Sequence, residues 1–267
     1  LTKKPEFQGN ERPTICNIEE DYNLKVVSFN VENYKGVNDV QRTKIVAALK
    51  AMDADIYALL EVFGNSSLND LCTALNTACQ TNQYKYIENS TANQGMACFI
   101  YNSNTVIPFK ELQKNRLADN GYLPDRKIAQ AFDLKANNER FIVCLNHWKA
   151  KDNSYNKPDE YADTGDGQGS HVLRRVHEAE ATLEFIKTVT AYFEDEDVLV
   201  VGDLNSYSKE DPIRVLEEGK LINELQKYAP NEYSYAFFSN NSYATGYLDH
   251  SFATATLDAQ ICYAHPF

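Results

Sequence analysis

The sequence predicts an α/β fold in a single domain, and three observations carry that prediction. Apolar segments of strand length alternate along the chain with stretches whose apolar residues recur at helical spacing. Five of the strand-like segments carry polar residues at their end: LKVVSFN at Asn30, DIYALLE at Glu61, RFIVCLNH at His147, DVLVVGDLN at Asp203 and Asn205, and YLDH at Asp249. The polar, irregular stretches lie at residues 1–23 and 151–170, and neither splits the alternation into two domains.

In chain order, residues 1–23 read as a polar arm, tied down through Cys16, ahead of one domain spanning 24–267. A helix is expected over 39–52, with Ile45, Leu49 and Met52 on one face. A second is expected over 67–79, where Leu68, Leu71, Cys72 and Leu75 repeat the stripe. LPDRKIAQAF leads from a loop, through Arg126, into a strand of alternating character. Residues 151–170 (KDNSYNKPDEYADTGDGQGS) are too polar and too rich in glycine to pack. They form a long loop after His147, of the kind that contacts substrate, and its tyrosines are candidates for stacking on bases, though tyrosine is equally an ordinary surface or core residue. The longest helix is expected over 171–193 with Val172, Val176, Ala179, Leu183 and Ile186 as its stripe; Arg174 and Arg175 at its start are weaker site candidates, since helix arginines are usually solvated. Asp211-Pro212 opens another helix, because a proline at the first helical position forfeits no hydrogen bond.

Composition sets the bounds. A chain of 267 residues, 43% of them hydrophobic, buries a sizeable core, and no apolar run approaches the length of a membrane span, so a soluble protein is expected. The 38 Asp and Glu outnumber the 26 Lys and Arg, a formal charge of −12. Such a surface has no broad attraction for a polyanion, which weakens a bare nucleic-acid-binding role but not a metal-dependent one, whose cations offset the carboxylates. The six cysteines (16, 72, 79, 98, 144 and 262) form no CxxC pair, which argues against a zinc knuckle. Cys72 and Cys79 are seven apart on one helix, roughly 10 Å, out of disulfide reach. Cys98 and Cys144 lie in apolar strands, where buried thiols are common. The start at Leu, without a signal-like apolar region, fits a processed N-terminus or a cloning boundary equally. The expectation is a secreted protein with one or two disulfides; an intracellular protein with free thiols is the alternative.

If the five strand ends meet, one rim gathers the carboxylates of Glu61, Asp203 and Asp249, the imidazole of His147 and the amides of Asn30 and Asn205. Hydrolysis of a phosphodiester needs extra negative charge stabilised on phosphorus, a water deprotonated and a leaving alkoxide protonated. Mg²⁺ serves the first need and helps the second, with oxygen ligands and several retained waters. Glu61 is the best metal ligand, since an acid closing IYALLE otherwise suffers its burial uncompensated. Asp203 and Asn205, two apart on a strand, are expected on one face, to orient water and to donate to a phosphate oxygen or to the nucleophile. His147 can protonate or polarise phosphate, with Lys149 and Lys151 close by. Asp249 can orient or polarise that histidine, Asn30 can hold a water or a metal-bound carboxylate, and Arg126 can clamp a phosphate bidentately. Each residue alone has an ordinary reading as a solvated strand end, a polar turn or a surface ion pair. All of those readings holding together is improbable.

SFNVEN, ALLEV, LNHWKAK, GDLNSYSKEDPI and GYLDHSFAT resemble the endonuclease/exonuclease/phosphatase superfamily, and within it bacterial extracellular nucleases of the deoxyribonuclease-I-like kind. The likeness runs from about residue 24 to 264; GDLNSYSKEDPI with GYLDH is specific to the extracellular branch, whereas GDxN alone marks only the superfamily. It implies a two-sheet α/β sandwich flanked by helices, with an active site along one rim. It also implies Mg²⁺ or Mn²⁺, sometimes Ca²⁺, and single-step hydrolysis. By motif, Asn30 and Glu61 serve the metal, and Asp203 with Asn205 positions nucleophile and phosphate. His147 contacts phosphate or acts as acid, with Asp249 as its partner or as a polarising acid.

The superfamily normally closes with a Ser-Asp-His-x-Pro strand, and nothing after Asp249 matches it. His250 belongs to the YLDH motif and His265 lacks a preceding Asp, so neither is promoted. The expectation is a domain cut short of its last strand, the alternative an impaired enzyme. Gly169-Ser170 stands where the extracellular branch often has a Cys after DGQG, so one disulfide of that branch is expected to be missing. The leading reading is a metal-dependent, largely non-specific endonuclease acting on DNA, with RNA as a further candidate substrate. A phosphodiesterase or phosphatase for small phosphate esters or phospholipid head groups is the runner-up. A catalytically impaired nucleic-acid-binding module is the reading of another class.

Overall fold

The computed structural model describes residues 22–90, 94–117, 124–152, 161–239 and 242–266. Most of the N-terminal arm and the middle of the loop after His147, with Tyr155, lie outside the described residues.

Apolar β-branched and aromatic runs become strands wherever both faces can be covered. The first is β1 (Val26–Tyr34), followed by helix α1 (Asp39–Met52), β2 (Ile56–Phe63), α2 (Gly64–Cys79), β3 (Tyr84–Ile87) and β4 (Gly95–Asn102). Then come β5 (Val106–Lys114), a short 3₁₀ turn at Pro124–Arg126, β6 (Lys127–Leu134), β7 (Arg140–His147), α3 (Val172–Phe193), β8 (Val198–Asp203) and α4 (Asp211–Glu218). The chain closes with β9 (Ile222–Asn223), α5 (Glu224–Tyr228), β10 (Tyr235–Ser239), β11 (Ser242–Gly246), β12 (Asp249–Ala253) and α6 (Ala255–Asp258).

The strands form two mixed sheets. One has the order β1-β2-β4-β3, the other β5-β6-β7-β8-β12-β9, and β10 pairs with β11 as a separate hairpin. Two-fold alternation along β2 decides which side each residue serves. Ile56, Ala58 and Leu60 face the second sheet, meeting Ile128, Phe132, Val143, Leu145 and Val201. Tyr57, Leu59 and Val62 face outward under α1 and α2, whose Ile45, Leu49, Met52, Leu68, Leu71, Cys72 and Leu75 close that side. On the far side of the second sheet, Ala179, Phe185, Ile186, Val189 and Phe193 of α3 pack with Ile213 and Leu216 of α4. The result is a sandwich of two mixed sheets flanked by helices, as expected.

The two early helices bury the residues their spacing predicts, and α1 starts where the Asn38 side chain accepts from the Val40 and Gln41 amides. Asp211-Pro212 does open α4. Cys72, Cys79, Cys98 and Cys144 are free thiols. Among the described residues no helix is long and apolar enough to cross a membrane.

Four expectations need correction. β6 does not alternate: Lys127 to Phe132 are all buried, because its sheet has the other sheet on one side and α3 on the other. α3 turns a different face inward, burying Arg175, Glu178, Ala179, Thr182, Phe185, Ile186 and Val189, while Val172, Val176 and Leu183 are half-buried at its flanks. Arg175 is not solvated, because the backbone around residues 149, 168 and 170 needs donors there. Finally, β12 begins at Asp249 instead of ending near it. It runs antiparallel to β8, so its first residue lies opposite Asp203, where β8 finishes.

Candidate active site

Strand direction brings the polar ends together. β7 and β8 are parallel, so His147 and Asp203 are register partners; antiparallel β12 adds Asp249 beside Asp203. The β1–β2 pair, also parallel, carries Asn30 and Glu61 on the facing sheet. Both strands break register at those residues: β1 just past Asn30, before Tyr34, and β2 across Glu61, between Leu59 and Val62. Glu61 takes φ 63°, and Glu32 and Asn33 also have left-handed backbones. Such conformations cost about 1 kcal/mol or more each and persist only where surroundings impose them. Here the kinks turn a carboxylate out of the pleat and aim the Asn33 amide at it.

The Glu61 carboxylate accepts from Asn30 Nδ2 at 3.0 Å and from the Asn33 amide at 3.0 Å. Asn30 Nδ2 also donates to Asp203 Oδ2 at 3.3 Å, while its own oxygen accepts from the Glu32 amide. His147 Nε2 lies 3.7 Å from Glu61 Oε1 and 4.0 Å from Asp203 Oδ2. These contacts are not ion pairs, because burial, with help from the cations of Arg126 and Lys127, pushes the His147 pKa down to about 3 and leaves the imidazole neutral. Asp203 moves the other way, up to about 7: burial raises it most, then the Asp249 carboxylate, against the Asn205 amide and the Asn30 side chain, which lower it. Asp249 is raised by burial too, opposed by the Ser234 hydroxyl.

Asn205 does not share a strand face with Asp203. β8 has ended, and Asn205 has φ 48° in a turn closed by its own amide donating to Asp203 Oδ1 at 3.0 Å. The side chain then reaches Trp148, donating to its carbonyl at 3.1 Å. Arg126, at the end of the 3₁₀ turn, donates through Nε to the Gly95 carbonyl at 3.2 Å, and among the described residues no carboxylate pairs with its guanidinium. Lys149 is tied differently: its ammonium pairs with Asp152. His250 stays away from the rim, 2% exposed, with Nε2 on the Ser206 carbonyl at 2.7 Å.

All eight sequence-derived candidates thus fall on or beside one rim. Asn30, Glu61, His147 and Asp203 are within a few ångströms of one another, Asp249 and Asn205 flank Asp203, and Arg126 and Lys149 lie on the segments next to His147. Several contributors were missed. Gly202 takes φ 132°, and a Cβ there would sit 2.0 Å from the Asn146 carbonyl, so glycine is required beside Asp203. Asn33, Ser234, Lys127 and Glu178 were missed because amide donors and buried charges leave no periodic trace. The one available signal was Arg175 and Glu178 at helical spacing beside the apolar Ala179.

Among the described residues no three His, Cys, Asp or Glu side chains form a ready-made metal cage. The donor chemistry nonetheless suits a hard cation. Three carboxylates crowd one rim beside a neutral imidazole, two of them with their pKa forced upward, and Mg²⁺ commonly takes only one or two carboxylates plus waters.

Solved structures share this architecture. A mannosyl-6-phosphatase of Bacteroides thetaiotaomicron is 18% identical, covering 86% of this chain and 85% of its own, with a TM-score of 0.61. The D. rerio TDP2 complexed with single strand DNA product is 13% identical over 86% of this chain and 84% of its own, with a TM-score of 0.59. The human Nocturnin catalytic domain with bound sulfate is 16% identical over 82% and 76%, with a TM-score of 0.56. No curated protein matches by sequence. These likenesses speak for the fold; the sequence itself matches the Endonuclease/Exonuclease/phosphatase family over residues 27–266, nearly end to end and across every strand of the rim. The chain belongs to that family.

Proposed function

We propose that this chain is a divalent-metal-dependent phosphodiesterase that cuts nucleic acid endonucleolytically, DNA first. The observation carrying the proposal is the Asn30 amide joining Glu61 to Asp203, with His147 against both carboxylates. Asp203, its pKa near 7, takes a proton from the attacking water, and the Asn205 amide fixes the direction of that carboxylate. Asp249 sustains the basicity of Asp203 through its charge. Of the two roles expected of His147, the neutral buried imidazole supports contact with a phosphate oxygen. Arg126, with no acid to pair with among the described residues, clamps the phosphate. Glu61, its carboxylate oriented by Asn30 and Asn33, would hold Mg²⁺ or Mn²⁺; a bound ion supplies Lewis-acid stabilisation of charge at phosphorus. Water oxygen bonds to phosphorus as the bond to the leaving oxygen breaks, and that oxygen departs as an alcohol after taking a proton from solvent.

A second reading, a phosphatase or phosphodiesterase for small esters, is favoured by the charge of −12, which gives no general attraction for a polyanion. An extracellular or periplasmic location is part of the proposal, supported by the resemblance to extracellular nucleases. Nicking of supercoiled plasmid with Mg²⁺, set against EDTA and Asp203→Ala, tests the first reading. Loss in both controls supports it. Rapid turnover of sugar phosphates or bis-p-nitrophenyl phosphate with intact plasmid transfers the conclusion to the second.

A further inference from the structure

The peptide groups on either side of Lys149 are held by one helix. Its N–H donates to Glu178 Oε2 at 2.8 Å, and its carbonyl accepts from Arg175 Nη1 at 3.4 Å. Both side chains stand on α3, three residues apart and so on one face. The other Glu178 oxygen lies 2.9 Å from Lys127 Nζ, with both side chains 2% exposed. Lys127 follows Arg126 in the chain and pairs in register with Asn146, the neighbour of His147. Asn146 Oδ1 in turn accepts from Thr182 Oγ1 at 3.3 Å, one turn further along α3. Arg175, fully buried, also donates to the carbonyls of Ser170 and Gln168 and to Ser206 Oγ.

Stability is a poor account of the Lys127–Glu178 pair. Removing two charges from water costs several kcal/mol per ion, and apolar side chains of equal volume often serve stability as well or better. They cannot accept an N–H.

We propose that Glu178 is a positioning residue for the hydrolysis. With one carboxylate it takes the Lys149 amide and the Lys127 ammonium, and so fixes the segment carrying His147 against the segment carrying Arg126. The kinetic part rests on the hydrolase reading above; the structural part does not.

Two paired variants test it. Lys127→Met with Glu178→Leu removes both charges and the acceptor. Lys127→Met with Glu178→Gln removes the charges but leaves an amide oxygen for the Lys149 N–H. Each is measured for thermal midpoint, amide hydrogen exchange across residues 147–152, and Mg²⁺-dependent hydrolysis of bis-p-nitrophenyl phosphate. Both are expected to fold. In the leucine pair, exchange at Lys149 quickens about tenfold or more and kcat falls about 10- to 100-fold with little change in KM. The glutamine pair recovers most of both. Unchanged exchange or unchanged kcat in the leucine pair, equal loss in both pairs, or failure of the leucine pair to fold would each overturn the inference. If the wild type turns over no phosphate ester, it is the hydrolase reading that fails, and exchange at Lys149 alone decides the role of Glu178.

Discussion

The Asn30 side-chain amide donates to Glu61 at 3.0 Å and to Asp203 at 3.3 Å, and these two acids stand on different sheets. One neutral donor therefore sets the spacing of two carboxylates that would otherwise repel. Asn30→Ala is expected to lower kcat/KM about 100-fold, and Asn30→Asp, which adds a fourth acid, to lower it further. Steady-state rates at saturating Mg²⁺ check this; a wild-type rate in Asn30→Ala would show that the spacing is set elsewhere.

Gly202→Ala should be among the most destabilising small substitutions in the chain. The added methyl meets the Asn146 carbonyl at 2.0 Å in a backbone of φ 132°. Backbone meets backbone there, so no side chain can rotate away. A loss of about 3 kcal/mol or more is expected in urea unfolding. A loss under about 1 kcal/mol would mean that β7 and β8 can separate locally without harm.

Acid should weaken the fold through its buried histidines. Burial lowers the His250 pKa from 6.5 to about 4. Between those pH values the unfolded chain binds more protons, so this contribution is complete above about pH 6.5 and is lost as pH falls towards 4, at most about 3 kcal/mol. His147, held near 3, acts in the same direction. Glu224 and Asp203, both raised to about 7, oppose them, since their stabilisation is lost as pH rises from about 4 to 7. His250→Gln, which can still donate to the Ser206 carbonyl, is expected to flatten the stability profile between pH 6.5 and 4 without abolishing its slope. An unaltered profile from urea melts would refute the assignment.

Metal binding should be visible without turnover. Mg²⁺ at tens of millimolar is expected to raise the thermal midpoint of the wild type by about 1–3 °C, through binding to the folded state only. Glu61→Gln should lose that response, and EDTA should reverse it in the wild type. An equal shift in both proteins would place the ion away from Glu61.

Much of the fold was legible because apolar periodicity reports burial directly. The stripes at Ile45, Leu49 and Met52 and at Leu68, Leu71, Cys72 and Leu75 are buried as read, and β2, β7 and β8 carry their polar residues to the rim. What periodicity cannot carry is direction and turn geometry. Asp249 starts its strand because β12 runs antiparallel, and Asn205 reaches the site through a left-handed turn. Arg175 was misread, and Glu178 passed over, because charge on a helix is normally a solvated face. Here it satisfies loop backbone that no sheet or helix pairs.

Asn30 and Asp203 meet across 173 residues of chain and across the gap between two sheets. Either sheet could be complete in every backbone hydrogen bond, with its helices in place, and still hold only half of the proposed reaction centre. Turnover is therefore a stricter gauge of nativeness than helical or strand content. In a refolding experiment it should be the last signal to return, arriving when the two sheets lock face to face, and it would stay silent in a loosely packed intermediate that spectroscopy counts as folded.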